Sequence, residues 1–152
     1  MSRVNVRTGR ALVVFCASSF VLHLLWELAQ MPLFAGGPPL YSRDCLLLCL
    51  RATATGDMFF MLLLYLALAA VHRNFSWLTD SPSYRHPATW FLMPFIGALL
   101  GIICEQWALA THRWQYGAMP LLPVLHVGVT PVLQMVIVPL IVLLITRRSV
   151  FS

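Results

Sequence analysis

Three of the five carboxylates of this 152-residue chain lie within long apolar runs: Glu27, Asp57 and Glu105. A carboxylate at the centre of a membrane helix costs roughly 2.5–3.5 kcal/mol on insertion scales, so such groups usually face a bundle interior or a water-filled cavity. A buried carboxyl group can give or take a proton near neutral pH. These three residues therefore indicate a site for acid–base chemistry.

The first apolar run offers partners for its carboxylate on the same helical face. His23 and Glu27 are four positions apart, Gln30 continues the stripe, and Trp26 lies beside it. Residues three or four apart are neighbours on a helix surface, so an imidazole, a carboxylate and an amide can act together here. We predict His23, Glu27, Asp57 and Glu105 as the catalytic residues.

The fourth apolar run has polar residues every four positions and prolines every eight. The polar stripe, which we predict to bind substrate with Trp26 and Gln30, is His126, Thr130 and Gln134. Each proline removes a helical donor and can kink the helix; they are Pro123, Pro131 and Pro139. We expect Pro131 to free the carbonyl of Val127, next to His126.

The amino-acid composition indicates which secondary-structure elements position these groups. With 60% hydrophobic and 10% charged residues, the chain is typical of a polytopic membrane protein. Since a span needs about 20 apolar residues and bare backbone cannot face lipid, we predict an all-α bundle of four transmembrane helices in one domain, residues 1–152. The predicted spans are 11–31, 52–71, 88–110 and 119–146.

The arginines predict the orientation. Seven of the ten basic residues lie on one side of the predicted spans: Arg3, Arg7, Arg10, Arg73, Arg85, Arg147 and Arg148. The other side has Arg43, Arg51 and Arg113. The positive-inside rule therefore places both termini in the cytoplasm and residues 32–51 and 111–118 outside. The net charge of +5 follows from this topology and does not indicate a nucleic-acid partner.

Five polar residues of the predicted spans fall at one depth. At 1.5 Å per residue, His23, Glu27, Asp57, Glu105 and His126 lie about 6–12 Å from the predicted outer ends of their spans. A common depth favours one cavity that opens toward the outer leaflet. Gly97, Gly101 and Glu105 are spaced by four, so a groove of small residues, where another helix can approach closely, leads to the carboxylate.

The outer loop after the third span is basic and aromatic, with His112, Arg113, Trp114 and Tyr116. These residues fit either an interfacial belt or a cap over the cavity, with Arg113 as counter-charge to a carboxylate. Arg51 is a second candidate for that charge, although on a regular helix it does not share a face with Asp57. We include all five in the predicted substrate site.

Several segments resemble an uncharacterised family of small four-span bacterial membrane proteins: 23–34 (HLLWELAQMPLF), 55–57 (TGD), Glu105, 113–116 (RWQY), 119–120 (MP) and 131–134 (PVLQ). This resemblance covers nearly the whole chain and implies a multi-pass protein of the bacterial inner membrane. Glu27 followed by Gln30 and Pro32, in a four-helix unit, is similar to the EXPERA group of sterol isomerases and sterol-binding proteins. Sterol isomerases also place a His-x-x-x-Glu pair in one span and a further Glu on another helix, which implies proton chemistry on a lipophilic substrate.

The leading hypothesis is an enzyme that isomerises, cyclises or hydrates an isoprenoid- or sterol-like molecule by proton transfer. Glu27 and Glu105 would donate and accept the proton, His23 would tune or relay it, Asp57 would stabilise charge, and Trp26 or Trp114 would stabilise a carbocation. The alternatives are a small transporter or a protein that binds lipid, protons, cations or a metal, and an accessory subunit that associates through Gly97 and Gly101. No cofactor and no complete metal-ligand motif is predicted, and the oligomeric state, a homo-oligomer included, stays open. Purely structural roles are the alternative for Asp57 and His126.

Overall fold

The structure, a computed structural model, describes the backbone of residues 3–152 and the side chains of residues 6–152. Four helical runs are long and apolar enough to cross a membrane: Val6–Leu33, Arg43–His72, Pro87–Ala110 and Val129–Phe151. Within the described residues the backbone forms no strand, only two isolated bridges between loop residues. The chain is thus an all-α, multi-pass membrane protein, as predicted. The side chain of Arg3, used for the predicted orientation, lies outside the described residues.

The helices, in chain order, are α1 (Arg3–Gln30), α2 (Arg43–Ala52), α3 (Met58–His72), α4 (Ser81–Arg85), α5 (Pro87–Ala110) and α6 (Val129–Phe151). A π-helical turn, Thr53–Asp57, joins α2 to α3, so these three segments form the second span. We call the end of the bundle that carries loops 31–42 and 111–128 the outer end, following the predicted orientation.

The second span begins at Arg43, earlier than the predicted residue 52. The cause is a helix cap: the Ser42 hydroxyl accepts a hydrogen bond from the Cys45 amide at 3.1 Å, and Asp44 lies in the first turn, where the helix dipole favours an acid. Arg51, predicted for the outer loop, is therefore helical.

The fourth span begins at Val129, later than the predicted residue 119. The residues before it cannot continue a helix, because Val124 and His126 have left-handed backbone conformations with φ of 71° and 53°. Pro131 is the third residue of α6, where a missing amide hydrogen costs no helical hydrogen bond. The prediction for Val127 was also wrong, since its carbonyl accepts a hydrogen bond from the Leu122 amide at 2.8 Å.

Helix α6 is central to the bundle and packs against both α1 and α5. Glycines make the contact with α5 close: a Cβ at Gly97 would lie 1.9 Å from the Met135 carbonyl oxygen, and one at Gly101 would lie 3.3 Å from the Val132 Cα. The predicted small-residue groove is therefore present, and α6 of the same chain fills it. It is not free to serve as the association surface that was considered for an accessory subunit.

The inner ends of the helices are held by a cluster of aromatic residues. The Trp77 side chain is fully buried and donates a hydrogen bond to the Tyr65 carbonyl at 3.2 Å. Tyr84 donates to the Leu78 carbonyl at 3.0 Å, and Trp90 donates to the Tyr84 carbonyl at 2.8 Å. Loop 73–86 thus packs into the bundle rather than lying in solvent.

Candidate functional site

One cavity of about 650 Å³ lies at the outer end of the bundle. It separates the outer part of the second span from α5, and residues of α1 and α6 close its back. Exposed residues of both flanking helices, Leu48 and Trp107 among them, also line it, so the cavity reaches the bundle surface between these helices. Its polar lining is Glu27, Gln30, Arg51, Thr55, Asp57, Glu105, Arg113, Trp114 and Gln134.

All three intramembrane carboxylates line this cavity, each from a different span: Glu27, Asp57 and Glu105. Asp57 ends the π-helical turn, and its neighbour on that turn, Thr53, is fully buried. A π-turn widens the helix by one residue per turn and recurs at functional sites. Within this turn the second span buries both Thr53 and Asp57.

Glu105 is held by two aromatic donors from the loop above it. The Trp114 indole N–H points at its Oε2 from 3.4 Å, and the Tyr116 hydroxyl donates to the same oxygen. The Tyr116 oxygen in turn accepts a hydrogen bond from the Gly128 amide at 2.8 Å. Burial, and then the Glu105 carboxyl group, raise the pKa of Tyr116, so its phenol remains a donor at neutral pH.

Replacing Tyr116 by Phe should destabilise the protein by about 1–3 kcal/mol, because the Gly128 amide loses its acceptor and Glu105 loses a donor. Thermal unfolding in a neutral detergent measures the change. Tyr41→Phe is the matched control, since Tyr41 is 95% exposed and its hydroxyl is solvated. Equal midpoints for the two variants would contradict a structural role of the Tyr116 hydroxyl.

A second set of hydrogen bonds runs through two amides. The Gln30 side-chain nitrogen donates to Glu27 Oε1 at 3.0 Å and to Gln134 Oε1 at 3.2 Å. The Gln134 nitrogen lies 3.0 Å from His23 Nδ1, which accepts when that nitrogen carries no proton. His23 is fully buried and does not line the cavity. It therefore acts on Glu27 only through the amides, which orient groups rather than pass protons.

The network ends in buried polar atoms without partners. His23 Nδ1 lies 3.8 Å from Asp57 Oδ2, which is too long for a hydrogen bond. Among the described residues, the buried atoms without a hydrogen-bond partner in the protein are His23 Nε2, Gln30 Oε1, Thr53 Oγ1 and Asp57 Oδ2. Unsatisfied buried polar groups are costly, so each one needs a physical explanation, such as a catalytic role or a bound water or ion.

The two outer loops pair over the cavity. The Ala35 amide donates to the Gln115 carbonyl at 2.9 Å, and the Gly117 amide donates to the Leu33 carbonyl at 2.8 Å. The Phe34 ring meets the Trp114 ring edge to face, with centroids 6.1 Å apart. Loop 111–128 is thus a cap tied to loop 31–42, which fits the cap interpretation of the aromatic loop.

Besides His23 and Tyr116, four predicted site residues do not line the cavity. Trp26 donates its indole N–H to the Thr130 carbonyl at 3.2 Å, and the Thr130 hydroxyl points at the Met119 sulfur from 3.0 Å. His112 and His126 are exposed loop residues with left-handed backbones. The predicted stripe of His126, Thr130 and Gln134 was wrong because residue 126 precedes the helix, and of the three only Gln134 lines the cavity.

Arg51 and Arg113 line the cavity but pair with no carboxylate. Within the described residues, His23 and Asp57 are the one pair of a basic and an acidic side chain closer than 4.0 Å. The counter-charge predicted for Arg113 is therefore absent, and its guanidinium lies over the Trp107 ring, 4.6 Å from the centroid. Trp107 and loop residues 34–38 line the cavity without having been predicted. The sequence carried no spacing signal for Trp107, because residues two apart on a helix, such as Glu105 and Trp107, do not share a face.

No protein-family model, curated protein or solved structure matches this chain. Function is therefore argued from the site itself. Among residues 6–152, no group of three or more His, Cys, Asp or Glu side chains is arranged to hold a metal ion.

Proposed function

We propose that this protein is an integral membrane enzyme that catalyses proton transfer to and from a lipophilic, isoprenoid- or sterol-like molecule. The observation that carries the proposal is the meeting of Glu27, Asp57 and Glu105, from three spans, in one cavity of about 650 Å³. Buried carboxylates that share a cavity with apolar side chains are typical of acid–base sites. The resemblance to sterol isomerases at His23 and Glu27 points to the same chemistry.

The position of the opening supports a substrate that comes from the bilayer. Leu48 is 48% exposed and Trp107 is 50% exposed, and both lie where the cavity reaches the bundle surface. This surface belongs to two spanning helices, so apolar molecules in the membrane have direct access to it. The volume is within the range of pockets that enclose molecules of a few hundred daltons.

The proposed step moves one proton onto carbon and takes another off. A protonated carboxyl group, Glu27 or Glu105, gives its proton to one carbon of an alkene, and the alkene π electrons form the new C–H bond. The adjacent carbon becomes cationic. The other glutamate then removes a proton from a carbon next to the cation, and the electrons of that C–H bond form the shifted double bond. Capture of the cation by another double bond or by water gives cyclisation or hydration instead.

The neighbouring groups fit supporting roles in this step. Asp57 places a third carboxylate in the cavity, where it stabilises positive charge. The Trp114 ring, which also lines the cavity, offers a π face to a carbocation. Trp26 does not line the cavity and drops out of that role. His23 is a positioning residue that fixes Gln134 and, through Gln30, Glu27.

We place the protein in the bacterial inner membrane, with its cavity opening toward the outer leaflet. The support is the distribution of the arginines and the resemblance to small four-span bacterial proteins. Helices of this length and composition fit a bilayer location.

Deuterium labelling tests the proposal without a known substrate. The protein, purified in neutral detergent, is incubated in D₂O with lipid extract from its host, and the lipids are examined by mass spectrometry. Carboxyl protons exchange rapidly with solvent, so we expect one class of isoprenoid or sterol-like lipid to gain carbon-bound deuterium. Boiled protein in the same mixture is the control.

Two outcomes would overturn the proposal of an enzyme. Co-purification of one lipid class without deuterium in its carbon-bound positions would identify a lipid-binding or transport protein that uses the same cavity. If no lipid co-purifies with the protein and no lipid gains deuterium, the proposal of a lipophilic substrate is wrong.

A further inference from the structure

Two arginines flank the opening of the cavity. Arg51 is contributed by α2 and Arg113 by the loop that follows α5, and both line the cavity while remaining exposed. They therefore bring two positive charges to the entrance of a cavity whose interior holds three carboxylates. This separation of charge along the cavity is not needed for the proton chemistry itself.

Among the described residues, neither guanidinium forms an ion pair or donates a hydrogen bond. The carboxylates have other donors: Glu105 is bonded by Trp114 and Tyr116, and Glu27 by Gln30. No described carboxylate lies within 4.0 Å of either arginine. An arginine fork carries five N–H donors suited to phosphate and carboxylate oxygens, so both side chains are available to an anion from outside.

The surroundings of each arginine favour its position at the opening. The Arg113 guanidinium stacks on the Trp107 ring, which itself lines the cavity. Arg51 lies about 12 Å along the helix from its first residue, Arg43, at 1.5 Å per residue. An arginine this far into an apolar span requires a polar or hydrated environment, and the cavity provides one.

We propose that the cavity binds an amphiphile whose anionic head group, a phosphate or carboxylate, is held by Arg51 and Arg113. Its uncharged hydrocarbon part extends inward to Glu27, Asp57 and Glu105. Like charges repel, so the head group stays at the arginines and the carboxylates face neutral carbon atoms. This inference rests on the proposed function for the role of the cavity, and it defines the substrate as an anionic lipid.

The test compares three probes that separate the head group from the chain. Wild-type protein in neutral maltoside micelles is titrated with dodecyl phosphate, with dodecanol and with inorganic phosphate, and intrinsic tryptophan fluorescence reports binding because Trp107 and Trp114 line the cavity. We expect tight binding of dodecyl phosphate, weaker binding of dodecanol and no binding of inorganic phosphate.

The variants R51Q and R113Q should each weaken dodecyl phosphate binding roughly tenfold, the effect of losing one charged hydrogen-bonding group, and leave dodecanol binding unchanged. R43Q is the matched control, because Arg43 is an exposed arginine of the same helix that does not line this cavity. Wild-type affinity for dodecyl phosphate in both cavity variants would overturn the proposal. If inorganic phosphate binds as tightly as dodecyl phosphate, the hydrocarbon chain does not contribute to binding and the proposal of a lipid ligand is wrong.

The binding measurement does not require enzymatic turnover, so the head-group inference and the enzyme proposal can fail separately. If the head-group inference fails while the enzyme proposal holds, lipids gain deuterium and the arginine variants bind dodecyl phosphate normally. If the enzyme proposal fails while the head-group inference holds, binding depends on both arginines and no lipid carbon gains deuterium.

Discussion

Glu105→Gln is expected to lower the rate of deuterium incorporation by roughly 10²–10⁴-fold, the usual contribution of a general acid or base. Glutamine has the shape of glutamate but neither gives nor takes a proton in this step. Its carbonyl oxygen still accepts the hydrogen bonds from Trp114 and Tyr116, so the fold should persist. The measurement is the initial rate of deuterium gain in the labelled lipid.

Glu27→Gln should have an effect of the same size for the same reason. Its amide oxygen replaces the carboxylate oxygen as acceptor for the Gln30 nitrogen, so the network through Gln134 is retained. Asp44→Asn is the matched control, because Asp44 is an exposed carboxylate at the same end of the bundle and does not line the cavity. Full rates in both glutamate variants would exclude proton transfer by these two residues.

Gly97→Ala is expected to destabilise the protein by about 3 kcal/mol or more, at the upper end of overpacking effects. The added Cβ would lie 1.9 Å from the Met135 carbonyl oxygen and 3.0 Å from its carbon. The obstacle is backbone, not a flexible side chain, so α5 and α6 must move apart. Unfolding in mixed micelles, followed by circular dichroism, measures the loss.

Two other glycines calibrate that result. Gly101→Ala should cost less, since its Cβ would lie 3.3 Å from the Val132 Cα and needs only a small shift. Gly9→Ala should be neutral or stabilise by up to about 1 kcal/mol, because nothing lies within 4 Å and alanine favours a helix. If all three variants unfold alike, the close approach of α5 and α6 is not what limits stability.

The fold class and the meeting of the carboxylates were predictable because both follow from regular geometry. A rise of 1.5 Å per residue places Glu27 and Glu105 at one depth. A spacing of four residues puts Glu105 on the same helix face as the glycines that face α6. Both arguments hold for any straight helix. The structure agrees, since the two glutamates and Asp57 line one cavity.

The helix ends and the cap were not predictable from apolar runs alone. Membrane-like composition continues through 119–128, but left-handed residues at 124 and 126 stop the helix, so His126 leaves the predicted stripe. At the second span a single hydroxyl, that of Ser42, sets the start. The π-turn has no clear signal in Thr-Ala-Thr-Gly-Asp, and the pairing of the two outer loops depends on contacts between distant segments.

The close contact of α5 with α6 has a consequence for how this protein can evolve. Met135, whose backbone Gly97 touches, directly follows Gln134, whose amide joins Gln30 to His23. One turn of α6 therefore serves both the tightest seam of the bundle and the orientation of Glu27. Substitutions that change the packing of this seam and substitutions that change the orientation of Glu27 therefore fall on the same turn of α6.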